Sequence, residues 1–223
     1  MAEIKPKIEG LNIVLRGSFN PQIFQPAWFA AEGLIRKEEA DSAKVQVIHP
    51  EVTVFSLDWG QVQVTHDLFS AESSTNQRFS PELIRDLTVG TFRLLRHTPV
   101  TMMGLNRFFH FPITSMELWH SVGHKLAPKE HWRDLLQEPG TRSLTIQGVR
   151  PDGLKGLILV KIEPSIEAHP GVFVHVNDHF EAQATAPVQG ATELIGILEK
   201  SWKESLERSR KIAYSLVSKL ACI

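Results

Sequence analysis

The sequence predicts an α+β fold in which one unit is used twice, giving a pseudo-symmetric antiparallel sheet, saddle-like in shape and covered by helices on one face. Three observations lead there. The first is composition: 223 residues, 42% hydrophobic and 22% charged, supply enough apolar side chain for a large core and exclude disorder, collagen and coiled coil as the main state. The second is an internal match. Shifting the chain by 111 residues sets Gly60 on Gly171, Asp67 on Asp178, Phe69 on Phe180, Ala71 on Ala182, Glu82-Leu83-Ile84 on Glu193-Leu194-Ile195, Leu87 on Leu198 and Leu95 on Leu206. These are nine identities in 36 ungapped positions, where about two follow from ordinary residue frequencies. The third is the order of elements. Strand, helix, three strands and a long helix follow one another in residues 1–98 and again in 99–223.

In the first unit, Leu11 to Arg16 reads as a strand, and Gly17-Ser18-Phe19-Asn20-Pro21 breaks it before a helix from about Ile23 to Arg36. Lys44 to His49, Val52 to Leu57 and Gln61 to Thr65 are short strands rich in β-branched residues, separated by the turn-like His49-Pro50-Glu51 and Asp58-Trp59-Gly60. Pro81 opens a helix where a missing N–H costs nothing. Leu83, Ile84, Leu87, Phe92 and Leu95 follow at near-helical spacing to His97, and Thr98-Pro99 ends the helix.

In the second unit, Val100 to Phe109 is a strand and Phe111-Pro112 the break. Thr114 or Ser115 then caps a helix to about Leu126, although no Glu or Gln three residues after Ser115 completes a capping box. Lys129 to Gln137 reads as a short helical stretch without counterpart in the first unit, hence an insertion at about 128–140 that Glu138-Pro139-Gly140 closes. Arg142 to Val149 and Leu154 to Glu163 form a hairpin through Pro151-Asp152-Gly153, and Gly171 to Val176 is the third strand. The final helix runs from about Thr192 to Leu220, with Leu194, Leu198, Trp202, Leu206, Ser209, Ala213, Leu216 and Leu220 on one stripe. Each unit alone has a small core and a sheet edge to hide, so the two are expected to pack as one domain around a continuous sheet. This order of elements resembles the duplicated saddle of the TATA-box-binding-protein-like fold. The resemblance implies an architecture; no DNA-contacting motif of that family is matched, and its function does not follow from the fold.

Charge and cysteine usage narrow the function classes. Twenty-four Lys plus Arg against 25 Asp plus Glu leave a net charge of -1, without the surplus of a dedicated nucleic-acid or anionic-membrane binder. The one cysteine, Cys222, excludes an internal disulfide framework and a Cys-based zinc or iron-sulfur cage, and points to a reducing, cytoplasmic compartment. Met1-Ala2-Glu3-Ile4-Lys5-Pro6-Lys7 has no apolar leader, and no 18 apolar residues run together, so an untargeted chain without a membrane span is expected. The short turns and absence of low-complexity sequence are prokaryotic in character.

Ten histidines stand out. His120 and His124 form H-x3-H on one helix face, as two metal ligands require, with His131, His110, Glu117 or Asp134 available as a third. The metalloprotease form is excluded because Ser121 stands where a Glu is needed. Asn177-Asp178-His179, with His66-Asp67 at the matching position, has the composition of an acid/base pair, but an Asp that ends a strand by bonding its own turn serves a repeated position better. His49-Pro50-Glu51 lacks the downstream cysteines of a zinc deaminase, and Gly153-Leu154-Lys155-Gly156 joins strands where a KH loop joins helices. Phosphate loops and hydrolase elbows are absent from the sequence. Aromatic residues cluster at Phe19, Phe24, Trp28 and Phe29 and again at Phe108, Phe109, Phe111 and Trp119, where strands hand over to helices.

The reading that follows is a non-catalytic protein-binding or assembly subunit, or a regulator of a cytoplasmic complex, without cofactor, that meets another protein or a second copy of itself. Its alternatives are a metal-dependent hydrolase using His120 and His124, and a nucleic-acid-binding accessory protein. The last would use the basic side of the final helix, where Arg208, Arg210 and Lys211 stand among Lys200, Lys203 and Lys219.

Overall fold

The computed structural model describes residues 5–183 and 190–221; Cys222, with what was expected of it, lies outside them. The protein is α+β. Nine strands form one antiparallel sheet: β1 (Ile8–Gly17), β2 (Lys44–His49), β3 (Val52–Leu57), β4 (Gly60–Thr65), β5 (Leu68–Ser74), β6 (Val100–Pro112), β7 (Leu144–Val149), β8 (Gly156–Pro164) and β9 (Gly171–Glu181). Their spatial order is β2-β3-β4-β5-β1-β6-β9-β8-β7. Two meanders, β2 to β5 and β7 to β9, thus flank a central pair, β1 and β6, in which Ile8 lies opposite His110 and Leu15 opposite Met103. Five helices accompany the sheet: α1 (Pro26–Ala31), α2 (Lys37–Asp41), α3 (Pro81–Leu94), α4 (Met116–Leu126) and α5 (Thr192–Ala221).

Alternation along the strands sorts residues onto two faces. Leu11, Ile13 and Leu15 of β1, Phe69 and Ala71 of β5, Met103 and Leu105 of β6 and Phe180 of β9 join Phe29 of α1, Ile84, Leu87 and Phe92 of α3 and Leu194, Leu198 and Trp202 of α5 in one core. A second core gathers Phe109 and Phe111, Val174 and Val176, Ile158 and Ile162 with Val122 of α4 and Ala213 and Val217 of α5. Every strand residue in both cores belongs to the same sheet face, as the register shows. Fully burying a side chain of this size is worth about 1.5–3 kcal/mol, so the helices gather where the apolar faces are, and among the described residues the other face carries none.

Five local expectations change, one of them in β6, which runs through Phe111 to Pro112, both paired with β9, where Phe111-Pro112 was expected to break the strand after Phe109. The first half carries a fourth strand, β5, after the helix-bearing segment, where three were expected. The helix expected from Ile23 to Arg36 is a 3-10 turn at Pro21–Ile23 followed by two short helices. Pro26 can begin a helix but not continue one, and Gly33, at φ 71°, ends α1. The insertion is a 3-10 turn at Glu130–Trp132 followed by turns, where a helix to Gln137 was expected. Strand β9 continues through Asn177-Asp178-His179 to Glu181, beyond the end expected at Val176.

The β7–β8 hairpin closes as the Pro151-Asp152-Gly153 turn suggested. Gly156, at φ 136°, is indispensable there: any Cβ would strike the His179 carbonyl oxygen. Ser115 caps α4, its hydroxyl accepting the Leu118 N–H at 3.1 Å.

Candidate functional site

The two histidines of the H-x3-H spacing sit on the outer side of α4, where Trp119 fixes the helix by donating its indole N–H to the Gly171 carbonyl at 2.8 Å. His120 packs edge-on against Trp119, with ring centroids 5.1 Å apart. His124 Nε2 lies 3.2 Å from Glu130 Oε1, an ion pair whenever the ring is protonated. Both histidines are exposed, as are His131 and Asp134, while His110 lies on the helix-free sheet face, bonded to Ser165 Oγ at 2.8 Å. Among the described residues, no three His, Cys, Asp or Glu side chains converge on a metal-sized site.

Beside these histidines is a cleft of about 560 Å³, with Trp119, Val122, Leu126, Ile162 and Val172 on its walls. The insertion forms its rim. Lys129 Nζ donates to the Ala127 carbonyl at 2.7 Å, to the Gly123 carbonyl at 3.3 Å and to Thr141 Oγ1. Thr141 in turn donates to Gly123 at 3.0 Å. The Gly123 carbonyl, which also accepts the Ala127 N–H at 3.1 Å, and the C-cap carbonyl of Ala127 thereby hold both ends of the insertion. Between those ends, Trp132, Leu135 and Leu136 are 48%, 73% and 53% exposed.

Asp178 does not terminate a strand. It is buried inside β9, bonded to Arg150, to Ser205 Oγ at 2.6 Å and to Arg208 Nη1 at 2.9 Å. Asp67, its partner in the sequence match, is exposed in the β4–β5 turn, where it accepts from Thr65 Oγ1 at 2.8 Å and pairs with Arg16 at 2.5 Å. Those bonds and the Arg16 charge hold its carboxyl below the usual range. The position is occupied in both halves by one residue type with two different jobs. Arg208 is committed to Asp178, Asp152 and Glu204, whereas Arg210, whose guanidinium lies 5.1 Å from the Tyr214 ring centroid, and Lys211 face outward.

The helix-free face holds a cluster that sequence spacing did not reveal. Glu72, Asn12, Asn106 and Asn177 stand in register on β5, β1, β6 and β9, a polar row across the middle of the sheet. Asn106 Nδ2 donates to Asn12 Oδ1 at 2.7 Å, and the Asn12 side chain bonds Glu72. Burial nevertheless pushes the Glu72 carboxyl up. Around the row, the Phe108 ring lies across Gly10, where a Cβ would collide with it, and Phe173 and His175 rings stack at 6.3 Å. Burial, reinforced by the Lys161 charge, lowers the His175 pKa. Chemically this face offers acceptors, apolar rings and few free charges. Among the described residues no helix is long and apolar enough to cross a membrane. No protein-family model matches the chain, and no curated protein matches it significantly.

Proposed function

We propose that this chain is a non-catalytic protein-binding subunit, or regulator, of a cytoplasmic assembly and that it receives its partner on the helix-free face of the sheet. The carrying observation is that all the strand residues of both cores lie on one face, leaving the opposite face of the sheet uncovered by any helix among the described residues. Surfaces of that breadth, apolar at Val14, Phe108 and Leu159 and polar between them, have the mixed character of non-obligate interfaces. In this reading residues 1–98 and 99–223 are two copies of one unit packed as a single saddle-like domain, the second copy carrying the insertion at about 128–140. Supporting the duplication are the flanking meanders and the matched burial of Phe69 with Phe180, Ile84 with Ile195 and Leu87 with Leu198. The exposed Trp132, Leu135 and Leu136 offer the partner a second point of attachment.

The test is a native mass spectrum of the protein purified gently from its own host. A mass beyond the 25.1 kDa chain by another protein, or by a second copy, supports the proposal. A bare chain overturns it. A bare chain with a metal-sized increment lost on replacing His120 or His124 replaces it with the hydrolase reading, and bound nucleic acid released by salt and by changes at Arg208, Arg210 and Lys211 replaces it with the accessory-protein reading.

A further inference from the structure

We infer that β7, an end strand of the sheet, is the contact by which two copies of this chain join edge to edge, antiparallel about a two-fold axis at Ile146. The inference concerns a surface apart from the helix-free face and goes beyond the partner proposed there.

The two ends of the sheet differ. β2 lies at one end and β7 at the other, each with a single neighbouring strand among the described residues. An end strand offers unpaired N–H and C=O groups to any strand that passes, and proteins guard it with charges, prolines or bulges. β2 is guarded: it opens with Lys44, its register slips between Val45 and Val47, and Pro50 follows its last residue. β7 has none of these devices. Leu144-Thr145-Ile146-Gln147-Gly148-Val149 carries no charge and no proline, and its register against β8 runs unbroken from Leu144 opposite Ile162 to Val149 opposite Leu157. Five of its six residues are exposed, Ile146 at 54% and Val149 at 92%.

The side chains of β7 say what fits beside it. Leu144, Ile146 and Gly148 share the face of Ile162, Val160 and Ile158 and so lie on the helix side, where Leu144 already packs against the second core. Thr145 and Gln147 lie on the helix-free side. A joining strand must therefore bring an apolar residue to Ile146 on one face and polar residues to Thr145 and Gln147 on the other. β7 itself has this pattern. In a two-fold antiparallel pair centred on Ile146, that residue meets Ile146 of the second copy, Thr145 meets Gln147 of the second copy, and Leu144 meets Gly148 of the second copy. Gly148 has room for the leucine: a Cβ built there finds nothing nearer than the Ile158 carbonyl oxygen at 3.9 Å.

Charge does not oppose this pairing. No charged residue lies within the strand, and beyond it Arg142 comes opposite Arg150 of the second copy, whose guanidinium is buried against its own Asp178 and Asp152. Directly opposed residues of an antiparallel pair point to the same face, so this register keeps the helices of both copies on one side and extends each second core toward the other. A slip of one residue would set apolar against polar side chains and turn the two helix layers to opposite sides. Trp132 and Leu136, both exposed, line a groove with Arg142 and Ser143 just ahead of β7, so apolar surface continues past the strand.

Sedimentation velocity of the full chain across a concentration series tests the inference. The expected species is a dimer of the 25.1 kDa chain. Ile146→Lys places two like charges on the axis and should raise the dissociation constant about a hundredfold or more, with the monomer still folded by circular dichroism because the position is exposed. Ile146→Glu should behave likewise, and mixing the two variants should restore a dimer with one chain of each. Ile48→Lys, on the guarded strand β2, should leave the dimer intact. A chain that is monomeric at every concentration, a dimer that survives Ile146→Lys, or mixed variants that fail to associate would each overturn the inference. A monomer that instead pairs β7 with a strand of another protein, and loses it in Ile146→Lys, overturns the choice of occupant. The helix-free face is judged apart, by the native mass spectrum of Ile146→Lys: a partner or second copy that this variant retains leaves the proposal for that face standing, and a second copy that it loses belongs to β7.

Discussion

Arg150 and Asp178 form an ion pair in which each side chain is 1% exposed. Arg150, from the end of the β7–β8 hairpin, also bonds Asp152 and the His179 carbonyl, and its guanidinium lies 3.7 Å from the Phe180 ring centroid. Arg208 brings α5 to the same carboxylate at 2.9 Å. Hairpin, central sheet and long helix meet at this one cluster.

Removing Arg150 leaves the buried Asp178 with Arg208 and Ser205 as its remaining partners and leaves its other oxygen without a donor. Arg150→Met is therefore expected to lower unfolding free energy by about 1–3 kcal/mol, less than the full cost of an unpaired buried charge, measured by urea denaturation. The double variant Arg150→Met with Asp178→Leu should recover most of that loss. Equal loss in the single and double variants would show that the cluster does not act as a coupled unit.

Burial holds the His175 pKa below its ordinary 6.5. The neutral ring is the form the fold prefers, so its contribution is present above that value and is lost as pH falls through 6.5 and the unfolded chain takes up the proton first. His175→Phe should flatten this part of the stability profile between pH 7 and 5. An unchanged slope would assign it to other groups, with His110, also lowered by burial, the next to replace.

Glu72 has the opposite sign. Its carboxyl is raised above the ordinary 4.5, so its favourable protonated form is present at low pH and lost as pH rises through the raised value. Glu72→Gln keeps a bonding partner for Asn12 and removes the charge; it should raise stability at pH 7 relative to wild type and leave it nearly unchanged at pH 4. Thermal unfolding at the two pH values reads this directly.

Gly156→Ala is expected to destabilise by about 2–3 kcal/mol or more, since an L side chain at φ 136° is strained and its Cβ meets the His179 carbonyl. Gly153→Ala, with positive φ but open space around it, should cost less. The difference between the two, by denaturant midpoint, isolates the steric part.

Exchanging Trp132, Leu135 and Leu136 together for serine should change stability by no more than about 0.5 kcal/mol each, as exposed positions usually do, while weakening recovery of a partner. Removing Lys129 to Gln137 entirely would also cut the lysine that ties the insertion to α4, so the triple exchange is the cleaner variant. Full recovery of partner with the triple variant would remove the insertion from the interface.

What could be read from the sequence was what is local and periodic. The short strands β2, β3 and β4, the β7–β8 hairpin and the course of α3 and α5 all followed from alternation, turns and helical spacing. Strand β5 was hidden because its inward positions are Phe69, Ala71 and Ser73, of which one alone is large and apolar. On α5 the expected stripe positions Leu206 and Leu216 do pack against the cores, but the spacing missed the more deeply buried Ser205 and Val217, and Ser205 is turned inward by its bond to Asp178 rather than by hydrophobicity. The polar row escaped altogether. Asn12 and Asn106 are 94 residues apart, and what makes them neighbours is the register of β1 against β6, a tertiary fact with no local mark.

That central pairing also governs how the chain assembles. β1 can take β5 on one side as soon as the first 74 residues exist, but its other side is met only by β6, about a hundred residues along the chain. Until then the half-finished sheet holds an open backbone ladder at its middle, the most adhesive kind of edge. Contacts this distant in sequence also form slowly. On the ribosome, the first half must wait with its central strand unpaired, so the emergence of Val100–Pro112 is the moment at which the nascent sheet ceases to be a template for the wrong strand.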